Sequence, residues 1–154
     1  MKYGQPGDAQ HLGNDGQEHV RQILYNQHRR VQMGARSGPG ADKWDILVDD
    51  RWHVEVKTAR PRDIDGRPTW VFNIHRHGIL DESKVDLYVL RLEKVPYSKA
   101  AIHLLIPSPL RVFTLEVSFR KLLNGFGRYS EPFREFCRTG QNPFLEKHGA
   151  LGGR

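Results

Sequence analysis

The chain has 154 residues, of which 38% are hydrophobic and 27% charged, and it carries a formal net charge of +6. This length predicts one domain with one ordinary core, and no apolar run approaches the roughly 18 residues that cross a bilayer. Cys137 is the only cysteine, which excludes an internal disulfide and a cysteine-based zinc site. We therefore expect a soluble, cytoplasmic protein whose basic charge favours a polyanionic partner.

The first 43 residues predict an arm, a helix and a loop. Residues 1–14 are rich in Gly, Gln, Asp and Asn without periodicity, which is typical of a flexible arm. Asp15 is a suitable N-cap, and the apolar residues after it at helical spacing predict a helix: Val20, Ile23, Leu24 and Val31. Residues 33–43 contain three glycines and a proline, and they predict a loop.

Residues 44–48 and 52–58 predict two strands of a hairpin that carry unexpected charges. If the turn is centred on Asp50, Asp45 lies opposite Glu55, and opposed residues share a face of the sheet. Lys57 then projects from the same face, two residues beyond Glu55. The opposite face is wholly apolar, with Ile46, Val48, Val54 and Val56.

The remaining pattern predicts further strands followed by helices. Residues 60–68 read as a turn-rich loop with three arginines, whereas residues 69–74, 85–92 and 100–106 predict strands. A helix is predicted in the second half of 113–125, ending at Gly125, and another over 129–139. The sequence thus predicts a mixed α/β or α+β fold. We divide it into a flexible arm (1–14), a nuclease-like domain (15–127) and a basic C-terminal extension (128–154).

The charged hairpin indicates metal-dependent hydrolysis of phosphodiesters. Two carboxylates about 5 Å apart repel each other unless a cation lies between them, and Mg²⁺ prefers such oxygen ligands. A neighbouring lysine would orient a nucleophilic water or stabilise the developing negative charge. The alternative interpretation of Glu55 and Lys57 is a cross-strand ion pair on a solvent-facing strand. A second Glu-x-Lys, formed by Glu82 and Lys84, lies in a polar connection and is read as surface.

The segment "WDILVDDRWHVEVKTA" resembles the signature of the PD-(D/E)XK nuclease superfamily. The downstream segments "TWVFNI" and "ILDESKVDLYVLRLE" resemble its small members, which include intron-encoded homing endonucleases and archaeal Holliday junction resolvases. The resemblance covers about residues 13–106. It implies a restriction-endonuclease-like core, with a central mixed sheet flanked by helices, in the chain order helix, three antiparallel strands, helix and a further strand. It also implies DNA as substrate and Mg²⁺ as cofactor, with Mn²⁺ a possible substitute. The metal ligands would be Asp45, Glu55 and the carbonyl of Val56, and Lys57 would assist the attacking water.

Two features depart from that signature or leave a choice open. Trp44 stands where the family usually has proline. The family also often places a Glu or Gln on the first helix as an extra ligand. Glu18 is the acidic candidate but falls on the polar side of the helix, whereas Gln17 has the family's spacing from Gly13. Asp42 is a reserve candidate for the role of Asp45.

The expected partners are DNA and a second copy of the chain. Arginine forks bind phosphates well, and the candidate DNA contacts near the strand ends are Arg36, Arg60, Arg62, Arg76 and His75. A chain of this size carries one site, so cleavage of both strands favours a homodimer or higher symmetric oligomer. The alternative function is a non-catalytic DNA-binding or assembly protein that keeps the nuclease fold.

Overall fold

The computed structural model describes residues 8–34, 44–74, 85–108 and 112–144, except the side chains of residues 8–11 and 126–129. Its elements in chain order are α1 (Asp8–Asn26), β1 (Val31–Met33), β2 (Ile46–Val48), β3 (Trp52–Ala59), β4 (Arg62–Ile64), β5 (Arg67–Asn73), β6 (Leu87–Leu92), β7 (Ile102–Pro107), β8 (Thr114–Ser118) and α2 (Phe119–Thr139).

The strands form two sheets. The five-stranded sheet has the order β1-β2-β3-β6-β7, in which only β3 and β6 run parallel. The second sheet has the antiparallel order β4-β5-β8. The predicted α+β class, with a central mixed sheet flanked by helices, is therefore confirmed.

Two apolar layers lie on opposite faces of the five-stranded sheet. One contains Val54 and Val56 of β3 together with Val20 and Leu24 of α1 and Phe136 of α2. The other joins β6 and β7 to the second sheet, through residues that include Leu90, Leu104, Trp70 and Val117. All six residues of β6 are buried, because this strand is covered on both faces.

The β2–β3 hairpin has the predicted register, with Ile46 opposite Val54 and Val48 opposite Trp52. Asp49 and Asp50 form its turn with φ angles of 54° and 55°, a left-handed conformation that Asp tolerates better than most residues. The turn is attached to the end of α1, because Asp49 Oδ2 lies 3.1 Å from Arg29 Nη1. The β2–β3 hairpin is thus anchored along both strands by pairing with β1 and β6, and at its turn by Arg29.

Helix α1 differs from the prediction at both ends. It begins at Asp8, so residues 8–14, predicted as part of a flexible arm, are helical. It ends at Asn26 because His28 has a φ of 66°, which takes the chain out of the helix. Val31 therefore belongs to β1, an edge strand that pairs with β2 and was not predicted.

One further interpretation of the sequence was wrong. Residues 60–68 are not an irregular loop: they include β4 and the start of β5, which form a hairpin. The helix predicted to end at Gly125 and the helix predicted over 129–139 are confirmed: α2 consists of two helical stretches that meet at a kink at Gly125, where φ is −135° and ψ is 20°. Phe133 and Phe136 of its second half lie in the core.

No helix within the described ranges is long and apolar enough to cross a membrane.

The helix that the family resemblance implies between the third strand and the next core strand is not found among the described residues between β3 and β6, which form β4 and β5. Residues 75–84 of that connection lie outside the described part.

Candidate active site

Asp45 lies immediately before β2 and ends its pairing with β3. Its N–H donates to the Val54 carbonyl at 3.0 Å, and its own carbonyl accepts from Gly34 at 2.8 Å. The predicted register therefore holds along β2 and shifts by one residue at Asp45, whose N–H bonds to Val54. The Asp45 carboxylate replaces the next backbone acceptor: its Oδ2 atom accepts a hydrogen bond from the Val56 N–H at 2.7 Å.

The backbone of Val56 faces the end of β2. In an extended strand the N–H and the carbonyl of one residue point to the same side. The Val56 N–H donates to Asp45, so the Val56 carbonyl also points toward the end of β2 that begins after Asp45. The Val56 side chain is buried in the α1 face of the sheet. The Asp45 carboxylate therefore contacts β3 at Val56, between Glu55 and Lys57.

Glu55 and Lys57 form a partly buried ion pair on the opposite face of β3. Glu55 Oε2 lies 3.6 Å from Lys57 Nζ, and the side chains are 18% and 20% exposed, respectively. In the register with β6 they lie beside Tyr88 and Leu90, both buried. This low exposure differs from the alternative of a solvated surface pair, and it strengthens electrostatic interactions of either group with a ligand.

The structure separates the two helix candidates. The Glu18 side chain is 59% exposed and forms an ion pair with Arg21. Gln17 is half-buried, and its Oε1 atom is buried without a hydrogen-bond partner among the described residues. Gly16, next to it, packs so closely on Thr58 of β3 that a Cβ atom would overlap the Thr58 hydroxyl. α1 therefore brings Gln17 to the side of β3 and directs Glu18 to solvent.

The candidate DNA-binding residues are only partly described. Arg60 lies 3.5 Å from Glu93 Oε1 and is half-exposed, and Arg62 is exposed on β4. The remaining candidates lie outside the described residues: Arg36, His75 and Arg76. The reserve candidate Asp42 and the second Glu-x-Lys also lie outside them.

His53 and Asp86 extend the charged face of β3, and sequence reasoning did not single them out. Asp86 Oδ2 accepts from the His53 N–H at 2.8 Å and lies 3.4 Å from its Nδ1. The Trp44 ring lies against the imidazole, with centroids 5.0 Å apart. The alternating side-chain directions of β3 could have identified His53, since it precedes Glu55 by two residues and projects from the same face.

A second polar cluster lies on the α1 face, at the far end of β3. Arg91 Nη1 lies 3.0 Å from His103 Nε2, and Arg91 Nε donates to Glu93 at 3.1 Å. Burial lowers the pKa of His103 to about 4, and the positive charges of Arg91 and His19 act in the same direction. A neutral His103 can therefore accept a hydrogen bond from the Arg91 guanidinium.

The oxygen donors at the junction of β2 and β3 match the preferences of Mg²⁺. They are the carboxylates of Asp45 and Glu55 and the carbonyl of Val56. Among the described residues, no group of three or more His, Cys, Asp or Glu side chains is arranged to hold a metal. Mg²⁺ commonly binds through one or two carboxylates and completes its shell with water and substrate phosphate.

Comparisons with known proteins place the fold. No protein-family model and no curated protein matches the sequence. Among solved structures, the bacterial homing endonuclease I-Ssp6803I is similar with a TM-score of 0.55 and 16% sequence identity, over 87% of this chain and 96% of that chain. At this identity the similarity establishes the fold, and the chain has a nuclease-like fold shared with a homing endonuclease.

Proposed function

We propose that the protein is a metal-dependent DNA endonuclease of the PD-(D/E)XK superfamily. The observation that carries the proposal is the position of the Asp45 carboxylate on the backbone of Val56, flanked in sequence by the Glu55–Lys57 ion pair. A nuclease-like fold around these groups supports the same conclusion. Asp45, Glu55 and the Val56 carbonyl are the proposed ligands of Mg²⁺, which Mn²⁺ can replace.

Each residue has a distinct role in this proposal. Bound Mg²⁺ would polarise the phosphodiester and lower the pKa of a water molecule. Lys57 donates hydrogen bonds from its ammonium group to the attacking water or to the phosphate oxygens, where negative charge develops. Glu55 holds that ammonium group in place from 3.6 Å. Gln17, through its buried Oε1 atom, is the proposed additional oxygen donor from α1, in preference to Glu18.

The first test is cleavage of supercoiled plasmid and of a four-way DNA junction with Mg²⁺ or with EDTA. We expect nicking or linearisation that requires Mg²⁺ and falls at least about 100-fold in Lys57→Ala. Lys99→Ala is the matched control, since Lys99 is exposed and forms no ion pair with described residues. Preference for the junction would assign the protein to the resolution of branched DNA.

Two outcomes would contradict the proposal. Cleavage by Lys57→Ala at the wild-type rate would exclude the assigned site. If wild type and Lys57→Ala shift DNA in a gel and cut neither substrate, the protein is a non-catalytic DNA-binding module with a nuclease-like fold.

We further propose that the active form is a homodimer or a higher symmetric oligomer, because a duplex presents two strands and each chain one candidate site. Analytical ultracentrifugation with and without DNA tests this. A strictly monomeric protein bound to DNA would refute it, and would predict nicked rather than linear plasmid as the only product.

A further inference from the structure

The β4–β5 hairpin projects beyond the rest of its sheet. β8 pairs with β5 only from Thr69 to Asn73, whereas β4 pairs with Arg67, Pro68 and Thr69. Asp65 and Gly66 form the turn, with φ angles of 52° and 77°. Residues 62–68, here called the ribbon, are therefore a two-stranded segment, and no third strand of the described part of the chain lies beside its tip.

Two arginines of the ribbon lie on its open face. Arg62 is opposite Thr69, which is in turn opposite Ser118, so these residues share one face. The next pair, Trp70 and Val117, is buried in the core on the other face. Arg67 is opposite Ile64, two residues from Arg62 along β4, and therefore lies on the open face as well.

The ribbon arginines differ from most other described cations. Arg21, Arg29 and Arg91, for example, each form an ion pair with a carboxylate. Arg62 and Arg67 are exposed, and neither makes an ion pair with a described residue. An exposed guanidinium without a protein carboxylate is available to a phosphate, which it binds with a planar fork of donors.

The open face continues onto the start of α2. Arg120 and Lys121 are exposed in its first turn, which contains no acidic residue. Two cations at a helix N-terminus are unfavourable for the helix itself, because the dipole is positive there. Beside Lys121 lies a cleft of about 470 Å³ that reaches the ribbon. Its lining combines two cations, Arg67 and Lys121, with two carboxylates, Asp65 and Glu116. An anion bound beside Arg120 and Lys121 would offset this repulsion.

We propose that the ribbon is a DNA-contacting element that lies in the major groove of duplex DNA, with Arg62 and Arg67 binding phosphates beside it. This inference rests on the proposed nuclease function. A two-stranded ribbon fits the major groove, and the carboxylate of Asp65 at the tip is an acceptor for the amino group of cytosine. The ribbon is also joined directly to the catalytic strand: Arg62 follows Lys57 by five positions, a span of at most about 18 Å.

The test compares DNA binding of the double variant Arg62→Gln/Arg67→Gln with that of Lys94→Gln/Lys99→Gln. The control removes the same charge from exposed lysines that form no ion pair with described residues. Fluorescence polarisation with a labelled 30-base-pair duplex in EDTA, at several salt concentrations, gives affinity and its salt dependence. We expect at least about tenfold weaker binding in the ribbon variant and a log–log salt slope reduced by about 2. We expect less than about a twofold change in the control.

The outcomes separate this inference from the proposed function. Equal binding and equal salt slopes in the two variants would overturn the role of the ribbon while leaving the nuclease assignment intact. No binding of duplex by the wild-type protein would overturn both. Arg62→Lys/Arg67→Lys should retain most of the affinity, because it preserves the charges. A loss equal to that of the glutamine variant would contradict the phosphate contacts, provided that thermal unfolding shows both proteins folded.

Discussion

The Oδ2 atom of Asp45 accepts a 2.7 Å hydrogen bond from the backbone N–H of Val56, the residue between Glu55 and Lys57. This contact takes the place of the next backbone hydrogen bond between β2 and β3, at the point where β2 begins. The same carboxylate that satisfies the end of the sheet is therefore the one proposed to hold the metal. Its structural and chemical roles are separable by mutation.

Asp45→Asn is expected to leave the free energy of unfolding within about 0.5 kcal/mol of wild type and to abolish Mg²⁺-dependent cleavage. The amide oxygen still accepts from Val56, but the negative charge is lost. Asp45→Ala leaves the N–H of a buried residue without its acceptor and is expected to cost about 1–3 kcal/mol. Urea unfolding and plasmid cleavage measure the two effects. Wild-type cleavage by Asp45→Asn would show that this carboxylate binds no catalytic metal.

Gly16→Ala is expected to destabilise the protein and to reduce cleavage. A Cβ atom at Gly16 would overlap the hydroxyl of Thr58, so α1 must move away from β3 and carry Gln17 with it. Gly13→Ala is the matched control: the same helix has open space there, and alanine should stabilise it by about 0.5–1 kcal/mol. Thermal unfolding of both variants checks the sign. Stabilisation by both would mean that α1 does not depend on this close approach.

Gly140→Ala is expected to lower the free energy of unfolding more than Gly66→Ala does. Both glycines have left-handed φ angles, 71° and 77°, which cost alanine about 1 kcal/mol. Only at Gly140 would a Cβ atom also overlap Arg29 and Asp49, whereas Gly66 has open space. The Gly140 carbonyl also accepts a 2.9 Å hydrogen bond from Trp52. Equal losses in urea unfolding would eliminate the crowding contribution at the α2 terminus.

His103 is expected to make the protein less stable as the pH falls from 6.5 to 4. Burial holds its pKa in the folded protein near 4, whereas the unfolded residue titrates near 6.5. The unfolded state therefore binds more protons in this interval, and stability is lost on acidification, by up to about 3 kcal/mol.

His103→Gln isolates this contribution. Glutamine can still accept from Arg91, but it does not titrate. Its unfolding free energy should change less than that of wild type between pH 6.5 and 4, although both proteins share the titration of their carboxylates. Parallel curves for the two proteins would contradict a depressed pKa of His103.

Cys137 is expected to be unreactive in the folded protein. Its side chain is buried, and burial raises its pKa to about 12, so almost no thiolate, the reactive form, is present at pH 8. An aromatic disulfide reagent should label one thiol per chain rapidly in urea and far more slowly in buffer. Rapid labelling of the native protein would indicate that the second half of α2 detaches easily from the core.

Local pattern determined much of this protein. The alternation of charged and β-branched residues predicted β3, and with the short polar turn it predicted the pairing of Val48 with Trp52. Strands β5, β6 and β7 followed from their apolar composition. These features are visible in sequence because side-chain direction in a strand depends only on a period of two.

Tertiary contacts decided the rest. The sequence places Gln17 and Glu18 side by side, and only the packing of Gly16 on Thr58 determines which of them faces β3. The arginine-rich segment at 60–68 predicts a loop, yet pairing with β5 makes it a hairpin. In each case burial and hydrogen bonding with residues distant in sequence outweigh a local preference of about 1 kcal/mol or less.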